Sequence, residues 1–139
     1  MPSSPQAVLE TSLYVQDLKR AMAFYERVLG RTTIDEFPAG RGAALQVGSG
    51  PSVLLLFSAE ITRTGGTLAP HGSTGEGHVA FRVDPAEMPA WRERPKQHVA
   101  IEKDFNGNSP SIYFRDPDGN SLELAVSSIW CFRSLSQSA

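Results

Sequence analysis

The chain has 139 residues, 40% hydrophobic and 20% charged, with a formal net charge of −2. That composition belongs to ordinary globular proteins and excludes disordered and fibrous chains, while 13 Lys plus Arg against 15 Asp plus Glu, without a long block of either sign, argue against a nucleic-acid tether. No apolar run approaches the roughly 20 residues of a membrane span, Met1 to Gln6 lacks the pattern of a secretory leader, and Cys131 is the only cysteine, so a cytoplasmic protein without an intrachain disulfide or thiolate metal cluster is expected.

Residues Val8 to Asp17 alternate as a strand, and Leu18, Ala21, Phe24, Tyr25, Val28 and Leu29 then recur at helical spacing up to a stop at Gly30. Three strands are predicted next, over 32–37, 43–47 and 52–57, divided by the turn-rich stretches 38–42 and 48–51. After a Gly- and Thr-rich linker the order repeats: a strand over 78–83, a short helix over 85–94, and strands near 99–103, 111–115 and 121–126. The predicted class is α+β: two βαβββ modules forming curled mixed sheets. The predicted organisation is a single domain over 1–139, with module 1 at about 8–61, a linker at 62–77, module 2 at about 78–126 and a C-terminal tail at 127–139.

Spacing supports the repeat. Glu10 and His78 each stand five residues before a valine, Val15 and Val83, and Asp17 and Asp84 follow as helix caps. The turn Gly50-Pro51-Ser52-Val53 before Leu54 parallels Gly119-Asn120-Ser121-Leu122 before Glu123. On that alignment 44 positions separate Glu10 from Leu54 and 45 separate His78 from Glu123, a drift of one residue.

Strand alternation puts Glu10, Ser12 and Tyr14 on one face and Leu9, Thr11, Leu13 and Val15 on the other. By the same rule His78 and Glu123 point away from the apolar, helix-facing set of Val79, Phe81, Leu122 and Leu124. If the two sheets curl toward each other, Glu10, His78 and Glu123 converge. Two carboxylates brought together in a cleft repel, and a divalent cation relieves them. One imidazole and two carboxylates suit Zn, Mn, Ni, Fe or Mg and leave coordination positions open for substrate oxygens. Glu10, His78 and Glu123 are therefore the predicted metal ligands, with Glu10 and Glu123 available as catalytic general bases; Leu54, at the fourth related position, cannot ligate.

Other residues are read more plainly. His71, in the linker, and His98, near a turn, are expected in solvent, and Cys131, in an apolar patch, is expected to pack. No serine has the flanking pattern of a hydrolase nucleophile, and the glycines lack phosphate-loop spacing. Asp116-Pro117-Asp118-Gly119-Asn120 is turn chemistry that aims Glu123, since its acidic spacing is incomplete for a calcium loop. Tyr14, Gln46, Arg82, Tyr113 and Arg115 have side chains suited to polar substrates, and Ile129, Trp130 and Phe132 are suited to sealing a subunit contact or packing on their own sheet.

Leu13 to Leu18 with Phe24, Tyr25, Val28, Leu29 and Gly30 resembles the first strand and helix of the vicinal oxygen chelate superfamily, which includes glyoxalase I, fosfomycin resistance proteins, extradiol dioxygenases and bleomycin resistance proteins. Gly77 to Phe81 resembles its second-module start, and Tyr113 to Glu123 resembles its closing hairpin. The resemblance runs from about Val8 to Val126 and implies paired βαβββ modules around a divalent metal, a small-molecule substrate and a homodimer, with the cleft formed within one chain or across two. His78 and Glu123 match the superfamily's second-module ligands, while Glu10 stands where glyoxalase I has His or Gln and where extradiol dioxygenases and fosfomycin enzymes have His. The leading expectation is a metal-dependent, glyoxalase-like isomerase or lyase; the alternatives are an extradiol-type dioxygenase and a metal-free, drug-sequestering protein of the bleomycin-resistance type.

Overall fold

Asp17 opens the first helix, α1 (Leu18–Leu29), by accepting a hydrogen bond from the Arg20 amide at 3.0 Å, and Gly30 closes it in the left-handed conformation at φ 65°. Ala21, Phe24, Tyr25, Val28 and Leu29 form the buried stripe in between. The helix therefore begins and ends where the sequence predicts. In the computed structural model, residues 5–64 and 69–132 are described.

Two four-stranded ladders carry the same connectivity. The first holds β1 (Glu10–Val15), β4 (Val53–Ser58), β3 (Gly42–Gln46) and β2 (Thr33–Phe37), in that spatial order. The second holds β5 (His78–Arg82), β8 (Ser121–Ala125), β7 (Ser111–Arg115) and β6 (Lys103–Phe105). In each ladder the first strand pairs parallel with the last, and the remaining pairs are antiparallel. A short helix, α2 (Ala59–Thr62), follows the first ladder, and α3 (Met88–Lys96) serves the second after a tight turn capped by Asp84. This is the α+β arrangement of two βαβββ modules. The two ladders do not close into one sheet.

The core is continuous across both halves. Leu13, Phe24, Val28, Leu45, Leu54 and Leu56 pack in one cluster with Phe81, Met88, Ile112, Phe114, Leu122 and Leu124. Burying leucine- or phenylalanine-sized side chains contributes about 1.5–3 kcal/mol each, so this shared core is what joins the modules. Among the described residues no helix is long and apolar enough to cross a membrane.

Three predicted features shift. The strand expected over 99–103 forms at Lys103–Phe105, because Val99 and Ile101 leave the ladder to pack against the core. Residues 59–62, expected as the end of module 1 and the first residue of the linker, wind into α2. The register also moves the repeat: Glu10 lies opposite Val53 and His78 opposite Ser121, so the residue related to Glu123 is Leu55 and not Leu54. Leu54 points into the helix-side core, while Leu55 shares the other face with Ala44 and Phe57. With Leu55 as the counterpart, the one-residue drift disappears.

Candidate functional site

Glu123 sits in the middle of β8, in register with Ala80 on β5 and Tyr113 on β7, and is only 5% exposed. A carboxylate taken this far out of water is costly unless a positive group faces it. The nearest ionisable neighbour is His78, whose Nε2 stands 3.5 Å from Glu123 Oε1. The other ring nitrogen, Nδ1, lies 2.9 Å from the Ser121 carbonyl oxygen. A carbonyl only accepts, so Nδ1 carries the proton and donates it. In the neutral ring the Nε2 lone pair then faces the Glu123 oxygen.

Two acceptors turned toward each other require a proton or a cation between them. Donors bound at about 2.0–2.2 Å in tetrahedral or octahedral geometry stand roughly 3–3.5 Å apart, so the pair fits two adjacent corners of a metal's coordination shell. The committed Nδ1–H also matches the way metal-binding imidazoles are oriented by a partner on their far nitrogen. Tyr113 completes the local set. Its ring lies nearly parallel to that of His78, at 13° with centroids 6.1 Å apart, and burial, followed by the Glu123 charge, pushes its phenol above the ordinary range. Tyr113 thus remains a hydrogen-bond donor beside Glu123.

Glu10 is placed differently. It is exposed at the start of β1, on the other ladder, and pairs in register with Val53. Among the described residues no group of three or more His, Cys, Asp or Glu side chains is arranged to hold a metal ion. Within one chain, then, the structure brings His78 and Glu123 together and does not gather Glu10 with them. β1 meets the start of β5 at Leu13 and Tyr14, through Gly77 and Asn120, and Glu10 lies at the other end of the strand.

The turn that leads into β8 is also a tether between the modules. Tyr25 on α1 donates to Asp116 Oδ2 at 2.8 Å, and Asp116 Oδ1 accepts from the amides of Asp118 and Asn120, both at 2.9 Å. Asn120, 2% exposed, donates to Asp116 Oδ2 at 2.9 Å and to the Tyr14 carbonyl at 3.3 Å, and its Oδ1 accepts from the Gly77 amide at 2.7 Å. One buried amide thereby ties β1, the residue before His78, and the strand of Glu123. Gly77 lies close against this junction: a Cβ there would stand 2.9 Å from the end of the Leu13 side chain, which would have to shift.

Two expectations are corrected. His71 is half-buried, not solvated: its Nδ1 lies 2.7 Å from the Tyr14 hydroxyl and its ring meets Phe57 edge-on at 4.7 Å. Its own amide, bound to the Thr62 carbonyl at 2.9 Å, carries the linker back over the sheet face, a path that local composition does not encode. Cys131 is exposed rather than packed, because the chain has left the core after Val126. His98 is exposed as expected. Arg115 is engaged by Glu102 at 2.7 Å and Glu76 at 3.1 Å. The roles of Asn120 and His71 were missed because each depends on residues dozens of positions away.

The model of the glyoxalase/bleomycin resistance protein/dioxygenase superfamily matches residues 7–124. A lactoylglutathione lyase of Salmonella typhimurium is 34% identical over 122 residues, covering 84% of this chain and 90% of the relative. A glutathione transferase FosA of Serratia marcescens is 30% identical over 125 residues, covering 89% of this chain and 83% of its own. The crystal structure of a lactoylglutathione lyase from Agrobacterium tumefaciens superposes with a TM-score of 0.84 at 33% identity, over 94% of this chain and 100% of that one. With its duplicated βαβββ ladders and the family match over 7–124, the chain belongs to the glyoxalase/bleomycin resistance protein/dioxygenase superfamily, also called the vicinal oxygen chelate superfamily.

Proposed function

We propose that the protein is a divalent-metal-dependent enzyme of the glyoxalase-like type, acting by isomerase or lyase chemistry on a small oxygen-rich substrate held at the His78–Glu123 centre. The observation that carries this reading is the buried Glu123 carboxylate facing His78 Nε2 at 3.5 Å, with Nδ1 already committed to Ser121. The lactoylglutathione lyase relatives support lyase chemistry over the other activities of the superfamily. When bound, a divalent ion (Zn, Mn, Ni, Fe or Mg) supplies Lewis-acid polarisation of two substrate oxygens. His78 and Glu123 hold it. Tyr113 presents its phenol hydrogen beside Glu123 and orients a substrate oxygen.

The third donor is Glu10 of the partner subunit in a homodimer, which reconciles a two-residue centre in one chain with the exposed position of Glu10 beside Val8 and Leu9, 77% and 61% exposed. A carboxylate of this set, Glu10 or Glu123, serves as the general base, a role worth about two to four orders of magnitude in rate.

Elemental analysis of the purified protein tests the reading. A stoichiometric divalent ion is expected in the wild type, absent from folded His78→Ala and Glu123→Ala variants. Retention of the ion by either variant overturns the assignment, as does a wild type that binds none after dialysis against all five metals. Dioxygen uptake on adding a catechol to the Fe(II)-loaded protein would instead establish the dioxygenase alternative, and tight drug binding by a metal-free wild type the sequestering one.

A further inference from the structure

The register equates Tyr14 and Phe57 of the first ladder with Arg82 and Ala125 of the second. In the first ladder that row is filled from within the chain: Phe57 is buried and the His71 imidazole lies against it, bonded to Tyr14. A planar group thus already occupies this position on one half of the molecule. In the second ladder Ala125 takes the place of Phe57, and the space left is a groove of about 420 Å³. Its floor is Ala80 and Ala125, its head is Arg82, and Trp130 and Phe132 form its walls.

The groove is chemically two-sided. Trp130 and Phe132 are 69% and 75% exposed, large apolar surfaces left to water, which mark a place where something binds. Arg82 is exposed, and among the described residues its guanidinium makes no hydrogen bond or ion pair. A guanidinium beside aromatic walls recognises a planar anionic group, bidentately and at low cost in ordering. The groove also adjoins the candidate centre. Ala80 is in register with Glu123, and Arg82 lies one ladder row further along, about 7 Å at the rise of a strand.

We infer that this groove binds the apolar, acid-bearing end of the substrate: a small carboxylic acid with an aromatic or other flat apolar body, its carboxylate on Arg82 and its body between Trp130 and Phe132. A molecule that also carries two vicinal oxygens about 7 Å from that carboxylate reaches the Glu123 row. This substrate class rests on the proposed function for turnover but not for binding, because no groove residue is a proposed metal ligand.

The test uses the full chain, stripped of metal with a chelator, and 3-phenylpropionate as the probe, with 3-phenylpropanamide as its uncharged counterpart. Binding of the acid in the millimolar range is expected by saturation-transfer NMR, together with a change in Trp130 emission that is absent from a Trp130→Phe variant. Arg82→Gln, and the amide in place of the acid, should each weaken binding at least tenfold. A His78→Ala variant should bind the acid as the wild type does, so loss of the metal centre and loss of the groove are read separately. Undetectable binding, equal affinity for acid and amide, an unchanged Arg82→Gln variant, or binding that emerges only when residues 133–139 are deleted would each overturn the inference, the last by giving the groove to the chain's own tail.

Discussion

The two ladders share connectivity and register yet present opposite chemistry on the face away from the helices. At equivalent positions the first carries Ala44, Leu55, Phe57 and Tyr14, and the second Tyr113, Glu123, Ala125 and Arg82. The first face closes on itself through the Phe37, Phe57, Tyr14 and His71 rings. The second keeps a buried carboxylate, a histidine facing it and a groove. Duplication supplies a frame, and a few positions on this face set the halves apart: one is closed by its own rings, the other keeps a buried carboxylate beside an open groove.

The sharpest way to break this contrast is to exchange Leu55 and Glu123. Leu55→Glu places an unpaired carboxylate in an apolar cluster and should lower unfolding stability by about 3–5 kcal/mol, measured by urea denaturation. Glu123→Leu, in contrast, replaces a buried polar group with one of similar volume and should leave the midpoint unchanged or raised while abolishing metal binding. A Leu55→Glu protein as stable as the wild type would show that the first face is not the closed layer described here.

A smaller effect is expected at the tether. Tyr25→Phe removes one donor to Asp116 and should cost about 1–3 kcal/mol at neutral pH. Burial, then the Asp116 charge, pushes the Tyr25 phenol well above its usual 10.0. A group whose pKa is raised on folding stabilises the fold fully below its unfolded value and less as pH rises past it, so wild-type stability should fall above about pH 10. That alkaline limb should be shallower in Tyr25→Phe; an identical slope would disconnect the tether from the pH dependence. The smallest effect belongs to the exposed Glu102–Arg115 pair. Its hydrogen bond to Arg115 lowers the Glu102 pKa from 4.5, so its contribution is present above that value and lost on further acidification. Arg115→Gln should lower the urea midpoint slightly above about pH 4.5 and converge with the wild type at more acidic pH, where the pair is already lost; equal midpoints at neutral pH would show that the pair contributes nothing.

Much of this frame was readable in the chain. Asp17 and Gly30 bound α1 as predicted, β7 begins and ends at the predicted residues, and the alternation of β1, β5 and β8 correctly assigns which face each side chain takes. The pairing of His78 with Glu123 was readable too, since both lie on parallel-paired strands of one module. Glu10 was not, because symmetry in sequence implies equal places in two sheets and says nothing about the distance between them. The one-residue error at Leu54 has a similar origin: turns of similar composition were aligned, and only hydrogen-bond register distinguishes Leu54 from Leu55.

Periodicity and punctuation alone determined most of the elements, their order, the repeat and the residues that face away from the core, because these follow from 3.6- and 2-residue geometry and from turn chemistry local to each segment; α2 and the place of β6 were the exceptions. Tertiary structure decided which of those outward residues meet. Contacts such as Asn120 with Tyr14, Tyr25 with Asp116 and His71 with Tyr14 join positions 57 to 106 residues apart, and they arise when a common apolar core draws two independently patterned modules together.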